Sequence, residues 1–529
     1  MAKNKKRRVP KKSARAKKQG KTPQSLHDTY TPRLRAAFAK TGHGECTQAL
    51  RSFNDEIRQD PSNVRAYILG AQAHANANQL DRMEEILSQL VQRAPENAGV
   101  HHFTGVVYAK AHFPDKAIDA YERACTLPNV LPGTWVELAS LYERSHRLDE
   151  AWNLIEQAEE FGIEFPTLWL VKARLQRRRK EPQQAVATLQ SLVGRLEKHD
   201  EVACEAWGEI ALIRDQEGDY EGAAEAIDHC KRGQQGRAAI FDQRGSAAHR
   251  KFQELFATLR REDFVRWQNA TQGMNQANVA LLAGFPRSGT TLLEQVLDAH
   301  PQLISSEERD YLGNNVIQRI FGRTPYYETL NKLTAGQLRF ERGAYFRVME
   351  KLLGEKIGPR MHLDKNPGYN QTIPLILRIF PETRVIIAIR DPRDVVLSCY
   401  LRHLPLNFMS VQFLSVESTA RRYAADMEAW LTLRKILPGP WCEIRYEDSV
   451  ADLETQARGA LSTLGLPWDE AVLDYRQRLQ KEKRVTSPTY EAVAQPVYTR
   501  SLARWRNYEK LLEPAQEILQ PFIKEFGYG

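Results

Sequence analysis

From about residue 30 the chain repeats itself every 34 residues, and no other feature restricts its fold as much. A small residue recurs at Ala37, Ala71, Gly105, Ala139 and Ala173. Twelve positions after each come Ala49, Met83, Ala117, Ala151 and Ala185, and sixteen after come Phe53, Leu87, Tyr121, Ile155 and Leu189. Trp135 and Trp169 stand four positions before their small residues. A small side chain lets two helices cross closely, and a bulky one fills the groove of the neighbouring unit. Pro61 and Pro95 punctuate unit ends, where a proline cannot continue a helix. A sixth unit, with Trp207, Ala211, Ala223 and Ile227, follows after a four-residue slip. Residues 30–235 therefore read as stacked helix pairs, an all-α solenoid.

The period and the small/aromatic pattern resemble tetratricopeptide repeats. The resemblance implies a protein- or substrate-docking surface, or a buttress for the rest of the chain. The weakly matched first unit reads as a cap.

After about residue 240 the repeat stops. Residues 236–274 read as a helical linker, and residues 275–529 as a different kind of domain. Short Val/Ile-rich runs there alternate with amphipathic helices, the pattern of an α/β domain with a central parallel sheet. "NVALLAG", "RVIIAIRDP" and "WCEIRY" read as strands, each feeding a helix, and "HLD" precedes a helix across "QTIPLILRIF".

Between the first of these strands and its helix lies "GFPRSGTT", Gly284 to Thr291. Its glycines have the spacing of a phosphate loop, G-x-x-x-x-G-K-[ST], but Thr290 stands where that loop has its lysine. Backbone amides and a helix N-terminus can still hold an anion. Arg287 supplies a cation inside the loop, positioned for a shorter anion than a triphosphate.

These segments resemble sulfotransferases that use 3′-phosphoadenosine 5′-phosphosulfate (PAPS), especially the tyrosylprotein sulfotransferases and bacterial tetratricopeptide–sulfotransferase proteins. The resemblance implies a phosphate-loop-like fold. It assigns the 5′-phosphosulfate to Arg287, Ser288, Gly289, Thr290 and Thr291, and the 3′-phosphate to Arg390 and Ser398, with Arg402 as a further arginine. It makes Lys365, in "DKNP", the lysine at the leaving group, and Arg287 a second catalytic cation. The base for the acceptor proton falls on Glu308 in "SSEERDY". Glu307 or a histidine (His300, His362 or His403) is the alternative, with His300 in a helix-to-turn position that suits capping. Tyr446, Thr489, Tyr498 and Arg504 match later nucleotide contacts, Tyr490 could line the same site, and Trp505 reads as packing. The family's arginines for acidic peptides do not carry over, since Asp310 and Asn314 occupy two of those places.

The implied reaction moves a sulfuryl group from PAPS, as co-substrate and without a metal, to a hydroxyl acceptor: a protein (tyrosine included), a glycan or a small molecule. Two rival readings are a P-loop kinase or NTPase, which would need a loop lysine and a Mg²⁺-holding aspartate, and a non-catalytic repeat scaffold.

Charge and cysteine usage add the setting. The formal net charge is +9, but residues 1–21 carry 11 Lys/Arg and no acid. Without them 64 basic face 66 acidic residues. Residues 1–29 thus read as a basic disordered tail able to touch nucleic acid or an anionic membrane. No apolar h-region follows the charges, so the run does not read as a signal peptide. No apolar run approaches the roughly 18–20 residues that span a bilayer. Six scattered cysteines form no C-x-x-C or Cys/His cluster, which suits a reducing, cytoplasmic compartment and no metal site.

Overall fold

The computed structural model describes residues 28–41, 46–309, 311–317, 320, 326–482 and 501–529. Residues 1–27 of the basic tail, Asp310, Thr489, Tyr490 and Tyr498 lie outside the described residues. The chain forms two compact units: one reaches Glu164, and the other runs from Phe165 to Gly529 and includes Arg144–His146.

The first unit is helical throughout. Its helices are α1 (Pro32–Thr41), α2 (Cys46–Gln59), α3 (Val64–Asn76), α4 (Leu80–Arg93), α5 (Ala98–Lys110), α6 (Pro114–Cys125), α7 (Pro132–Arg144) and α8 (Leu148–Glu160). The repeated small residues lie on the odd helices, and those twelve and sixteen positions later on the even ones. Ala37, Ala71, Ala139, Met83, Ala117, Ala151, Phe53, Leu87, Tyr121 and Ile155 are all buried. Gly105 shows why the first position must be small. A Cβ there would lie 2.6 Å from the Tyr121 ring, so the glycine of α5 and the tyrosine of α6 are one fitted pair. Asn63 and Asn97 cap α3 and α5, their side chains accepting from Arg65 N and Val100 N.

The second unit opens with the last two helix pairs of the repeat: α9 (Pro166–Arg178), α10 (Pro182–Val193), α11 (Glu201–Glu217) and α12 (Tyr220–Gln235). Helices α13 (Ala238–Thr258) and α14 (Arg261–Ala270) follow. Then comes a five-stranded sheet of β1 (Val279–Gly284), β2 (Leu303–Ser305), β3 (Met361–Lys365), β4 (Arg384–Ile389) and β5 (Trp441–Arg445). The strand order is β2-β3-β1-β4-β5 and every pairing is parallel. β1 is central and buried along its whole length. That burial is why "VALLAG" is a continuous apolar run and not an alternating one.

Helices α15 (Thr290–Asp298), α16 (Ala335–Leu353), α17 (Ile373–Ile379), α18 (Pro392–Tyr400), α19 (Val416–Ile436) and α20 (Leu453–Leu464) accompany the strands. Leu292, Leu293, Val296 and Leu297 of α15 pack with Leu363, Ile386, Ile444, Ala460 and Leu464 into one apolar core. The α/β domain with a central parallel sheet is thus as the sequence pattern indicates. Among the described residues, no helix is long and apolar enough to cross a membrane.

Candidate active site

All five strands deliver their carboxyl ends to one edge of the sheet. In an open parallel sheet, ligands bind at that edge, beside the point where strand order reverses. The register β1 Leu282 opposite Lys365, and Gly284 opposite Ala388, sets the relative heights of what emerges there.

The loop after β1 is shaped by three left-handed residues. Gly284 has φ 144°, Arg287 φ 73° and Gly289 φ 95°. A Cβ on Gly284 would lie 2.6 Å from Ala388 O, and one on Gly289 2.5 Å from the Tyr446 ring. Both glycines are therefore required by close approach as well as by φ. Gly289 occupies the cap position of α15 without any side-chain cap bond. Helix geometry leaves the first amides of α15 without intrahelical partners, and the macrodipole makes that end partially positive. The Ser288, Thr290 and Thr291 side chains are buried around it. Arg287 does not point freely outward: its Nε donates to Ser398 Oγ at 3.0 Å, linking this loop to α18.

Arg390 leaves β4 and is nearly buried. Its Nη1 donates to Arg287 O at 3.2 Å, Nη2 donates to Ser501 O, and the guanidinium lies 4.7 Å from the centre of the Tyr446 ring. Its Nε is buried and has no hydrogen-bond partner among the described residues. The neighbouring Asp391 turns away to cap α18 and pairs with Arg393 at 2.7 Å. Tyr446 completes this corner, its hydroxyl 2.9 Å from Ser501 Oγ. Arg402 lies among Arg287, Glu209, Arg504 and Arg177, and burial, then Arg287, push its guanidinium down to about 10.

On the other side of β1 the Lys365 side chain is completely buried, with Nζ 2.8 Å from Glu308 Oε1 and 3.0 Å from Glu294 Oε2. Ser305 Oγ also donates to Glu294. Glu308 is half exposed, whereas Glu294 is buried. Glu307 has φ 56°, and its amide donates to Ser305 Oγ at 3.3 Å. Burial pushes the Glu294 carboxyl up to about 7, against the attraction of Lys365 and with Glu307 adding to the rise. Burial alone would lower Lys365, but Glu294 and Glu308 hold it above its ordinary value. The two directions compete, because a neutral Glu294 cannot be the counter-ion. The complete burial of Glu294 decides for a raised carboxyl, and the accessible Glu308 then carries the negative charge facing Lys365.

A group whose folded pKa is raised contributes stability that is full below its unfolded value and is lost as pH rises through the folded one. For Glu294 that window runs from 4.5 to about 7. The stability of the native chain relative to Glu294→Gln should therefore fall by up to about 3 kcal/mol across it. Urea midpoints of both proteins at several pH values from 4.5 to 8 measure this. A difference that does not vary with pH would mean that Glu294 is ionised throughout.

The histidines have other work. His300 Nδ1 accepts from Gln302 N at 3.1 Å, which makes Nε2 the donor to Pro467 O at 3.0 Å. Those bonds tie the turn after α15 to the segment at Pro467. His362 is buried with Nδ1 2.8 Å from the Tyr345 hydroxyl, and burial lowers it to about 3. His403 packs against Gly208 of α11. Arg504 is held by Asp215 of α11, with Nη2 2.5 Å from Oδ1. Trp505 lies under the Arg393 guanidinium, 3.9 Å from its ring centre, and its amide donates to Asp394 Oδ1 at 2.8 Å.

The sequence reading missed two sets of residues here. Glu294 was one, although a carboxylate inside the apolar run "TTLLEQVL" is a signal of burial with a partner. The other set, Glu209, Asp215 and Lys231, sits on repeat helices and has no signal in the repeat pattern. Among the described residues, no group of three His, Cys, Asp or Glu side chains could hold a metal ion.

Residues 280–470 match the sulfotransferase family. The chain carries a sulfotransferase-family domain. Two curated proteins and one solved structure illustrate the likeness. An uncharacterised protein of Aquifex aeolicus is 31% identical over 254 residues, covering 46% of this chain and 32% of its own length. The present chain thus spans about a third of that relative. Protein-tyrosine sulfotransferase 1 of Danio rerio is 25% identical over 259 residues, covering 47% of this chain and 71% of its own. The sulfotransferase domain of the Synechococcus PCC 7002 olefin synthase aligns at 19% identity with a TM-score of 0.31, covering 47% of this chain and 95% of its own.

Proposed function

We propose that this chain transfers a sulfuryl group from PAPS to a hydroxyl-bearing acceptor, with the repeats helping to dock an acceptor or partner. A protein tyrosine is one such acceptor, suggested by the names of the matched relatives; a glycan or small molecule is another. The observation that carries the reading is the pair of cationic anion-binding corners on one sheet edge, with a carboxylate–lysine pair beside them. One corner is the N-terminus of α15 with Ser288, Thr290 and Thr291; the other is Arg390, whose buried Nε has no partner among the described residues. This donor set suits a nucleotide phosphorylated at both 5′ and 3′ positions. When bound, PAPS would supply the sulfuryl group and a phosphate leaving group.

The roles of the chain's own residues follow from their positions. Glu308, the exposed carboxylate of the pair, would accept the acceptor's hydroxyl proton. Glu308 can keep Oε1 on Lys365 Nζ while its other oxygen turns to that hydroxyl. Lys365 and Arg287 would then face the charge that develops on the leaving phosphate. A reducing, cytoplasmic setting belongs to the same proposal and suits the single thiols at Cys204, Cys230 and Cys399.

Calorimetry with 3′,5′-bisphosphorylated adenosine and with ATP tests the donor. The bisphosphate is expected to bind more tightly, without any need for Mg²⁺. Tighter, Mg²⁺-dependent binding of ATP would instead indicate a kinase or NTPase.

A further inference from the structure

Helices α11 and α12 belong by sequence to the repeat array, yet they fold in the same compact unit as the sheet. Hydrogen bonds tie them to two short segments outside the repeat. Lys231 Nζ donates to Arg402 O at 2.8 Å and Gln234 Nε2 donates to Leu404 O at 2.9 Å, across 171 and 170 residues of sequence. Both of these side chains are buried. Between these bonds, α11 approaches so closely that a Cβ on Gly208 would lie 2.4 Å from the Cβ of His403. The segment so held follows α18, whose last turns carry Ser398 and lead to Arg402. Lys231 also places its ammonium at the carboxyl end of α18, the negative end of that helix, and 5.7 Å from the centre of the Tyr400 ring.

The second segment begins just after Ser501. Asp215 receives Arg504 Nε at 3.1 Å and the Tyr508 hydroxyl at 2.8 Å. The electrostatic arrangement points the same way. Arg287, Arg402, Arg504 and Arg177 gather in one place, and Glu209 and Asp215 of α11 are carboxylates set against them. Glu209 is itself oriented by Arg174 of α9, with Nε 2.8 Å from Oε1. An arginine cluster without such counter-charges would repel itself apart before any anion arrived.

We propose that α11 and α12 form a brace of the donor site. On this view Lys231, Gln234 and Gly208 hold residues 401–404, and so Arg402, in place for the 3′-phosphate, while Asp215 holds Arg504. They are positioning residues that act through the arginines they hold. The last repeat is then part of the enzyme and not a detachable docking module. This inference rests on the sulfotransferase reading of the preceding section.

The test uses the full chain and two variants with different liabilities. Gly208→Ala gains helix propensity in α11 but drives a methyl group into His403. Lys231→Met keeps the length of the side chain and removes the bond to Arg402 O. Each protein is titrated by calorimetry with 3′,5′-bisphosphorylated adenosine and with adenosine 5′-monophosphate. Both variants are expected to lose about tenfold or more of the affinity ratio between the two nucleotides, because the brace serves the 3′-phosphate side. An unchanged ratio, whether both affinities hold or both fall together, overturns the brace. If one variant does not fold, the ratio in the other decides. Failure of the native chain to prefer the bisphosphate would overturn the sulfotransferase reading itself, and the brace with it.

Discussion

Replacing Arg390 by alanine should cost the chain about a hundredfold to a thousandfold in affinity for 3′,5′-bisphosphorylated adenosine. The size follows from what the guanidinium does before any ligand is present. It spans Arg287 O, Ser501 O and the face of Tyr446, with Asp394 3.7 Å away. It therefore ties the phosphate loop, the β4 end and the segment at Ser501 into one corner, with Nε left over. Truncating a buried, hydrogen-bonded charge costs about 2–5 kcal/mol, and the expected range corresponds to the middle of that interval, about 3–4 kcal/mol at roughly 1.4 kcal/mol per decade. Burial already raises the Asp394 carboxyl against the pull of Arg390, and removing Arg390 would raise it further. Arg390→Lys should be intermediate, since an ammonium keeps the charge but loses the planar fork. Calorimetric affinities for the three proteins check this. A loss of less than threefold in Arg390→Ala would remove Arg390 from the donor site.

The second large effect is kinetic. Glu308→Gln should lower sulfuryl transfer about 10²- to 10⁴-fold, the usual contribution of a positioned general base, while leaving bisphosphate affinity within a few-fold. Glutamine keeps the shape and can still approach Lys365, but it cannot take the hydroxyl proton. Glu308 is favoured as the base because it is exposed and pairs with Lys365 at 2.8 Å. Glu307→Gln is accordingly the control and should keep most of the activity. The measurement is turnover of PAPS with whichever of a tyrosine peptide, an oligosaccharide or a phenol the native enzyme accepts best. Native-like turnover in Glu308→Gln would move the base elsewhere.

The repeat period and the α/β pattern could be read locally. The 34-residue spacing of Ala71, Gly105 and Ala139 needs only neighbouring turns to be interpreted, because small-residue crossings and groove-filling recur within each helix pair. The strands β1, β4 and β5 fall within the segments "NVALLAG", "RVIIAIRDP" and "WCEIRY", whereas β3, with His362, Asp364 and Lys365, is not an apolar run. The three-residue strand Leu303–Ser305 carried no such signal, being too short to show a period. The phosphate loop was legible for a similar reason. Gly284 and Gly289 require positive φ and close backbone approach, and few sequences provide both at that spacing.

The sequence named candidate residues for a site but not their pairings. Glu294 and Lys365 are far apart in the chain, and only the parallel register of β1 and β3 with α15 packed above brings their side chains within 3.0 Å. Arg504 illustrates the same limit. The sequence resemblance assigned it to the nucleotide, and the fold adds Asp215, 289 residues earlier, as the group that holds it. By itself, then, the sequence determined the repeat period, the strand–loop–helix units and the residue types offered to an anion, because these depend on backbone conformation and burial over a few turns. Which carboxylate faces Lys365, which carbonyls Lys231 and Gln234 hold, and how the arginines are counter-charged were decided only by tertiary structure. Those distances are set by sheet register and helix packing between segments that no local pattern links.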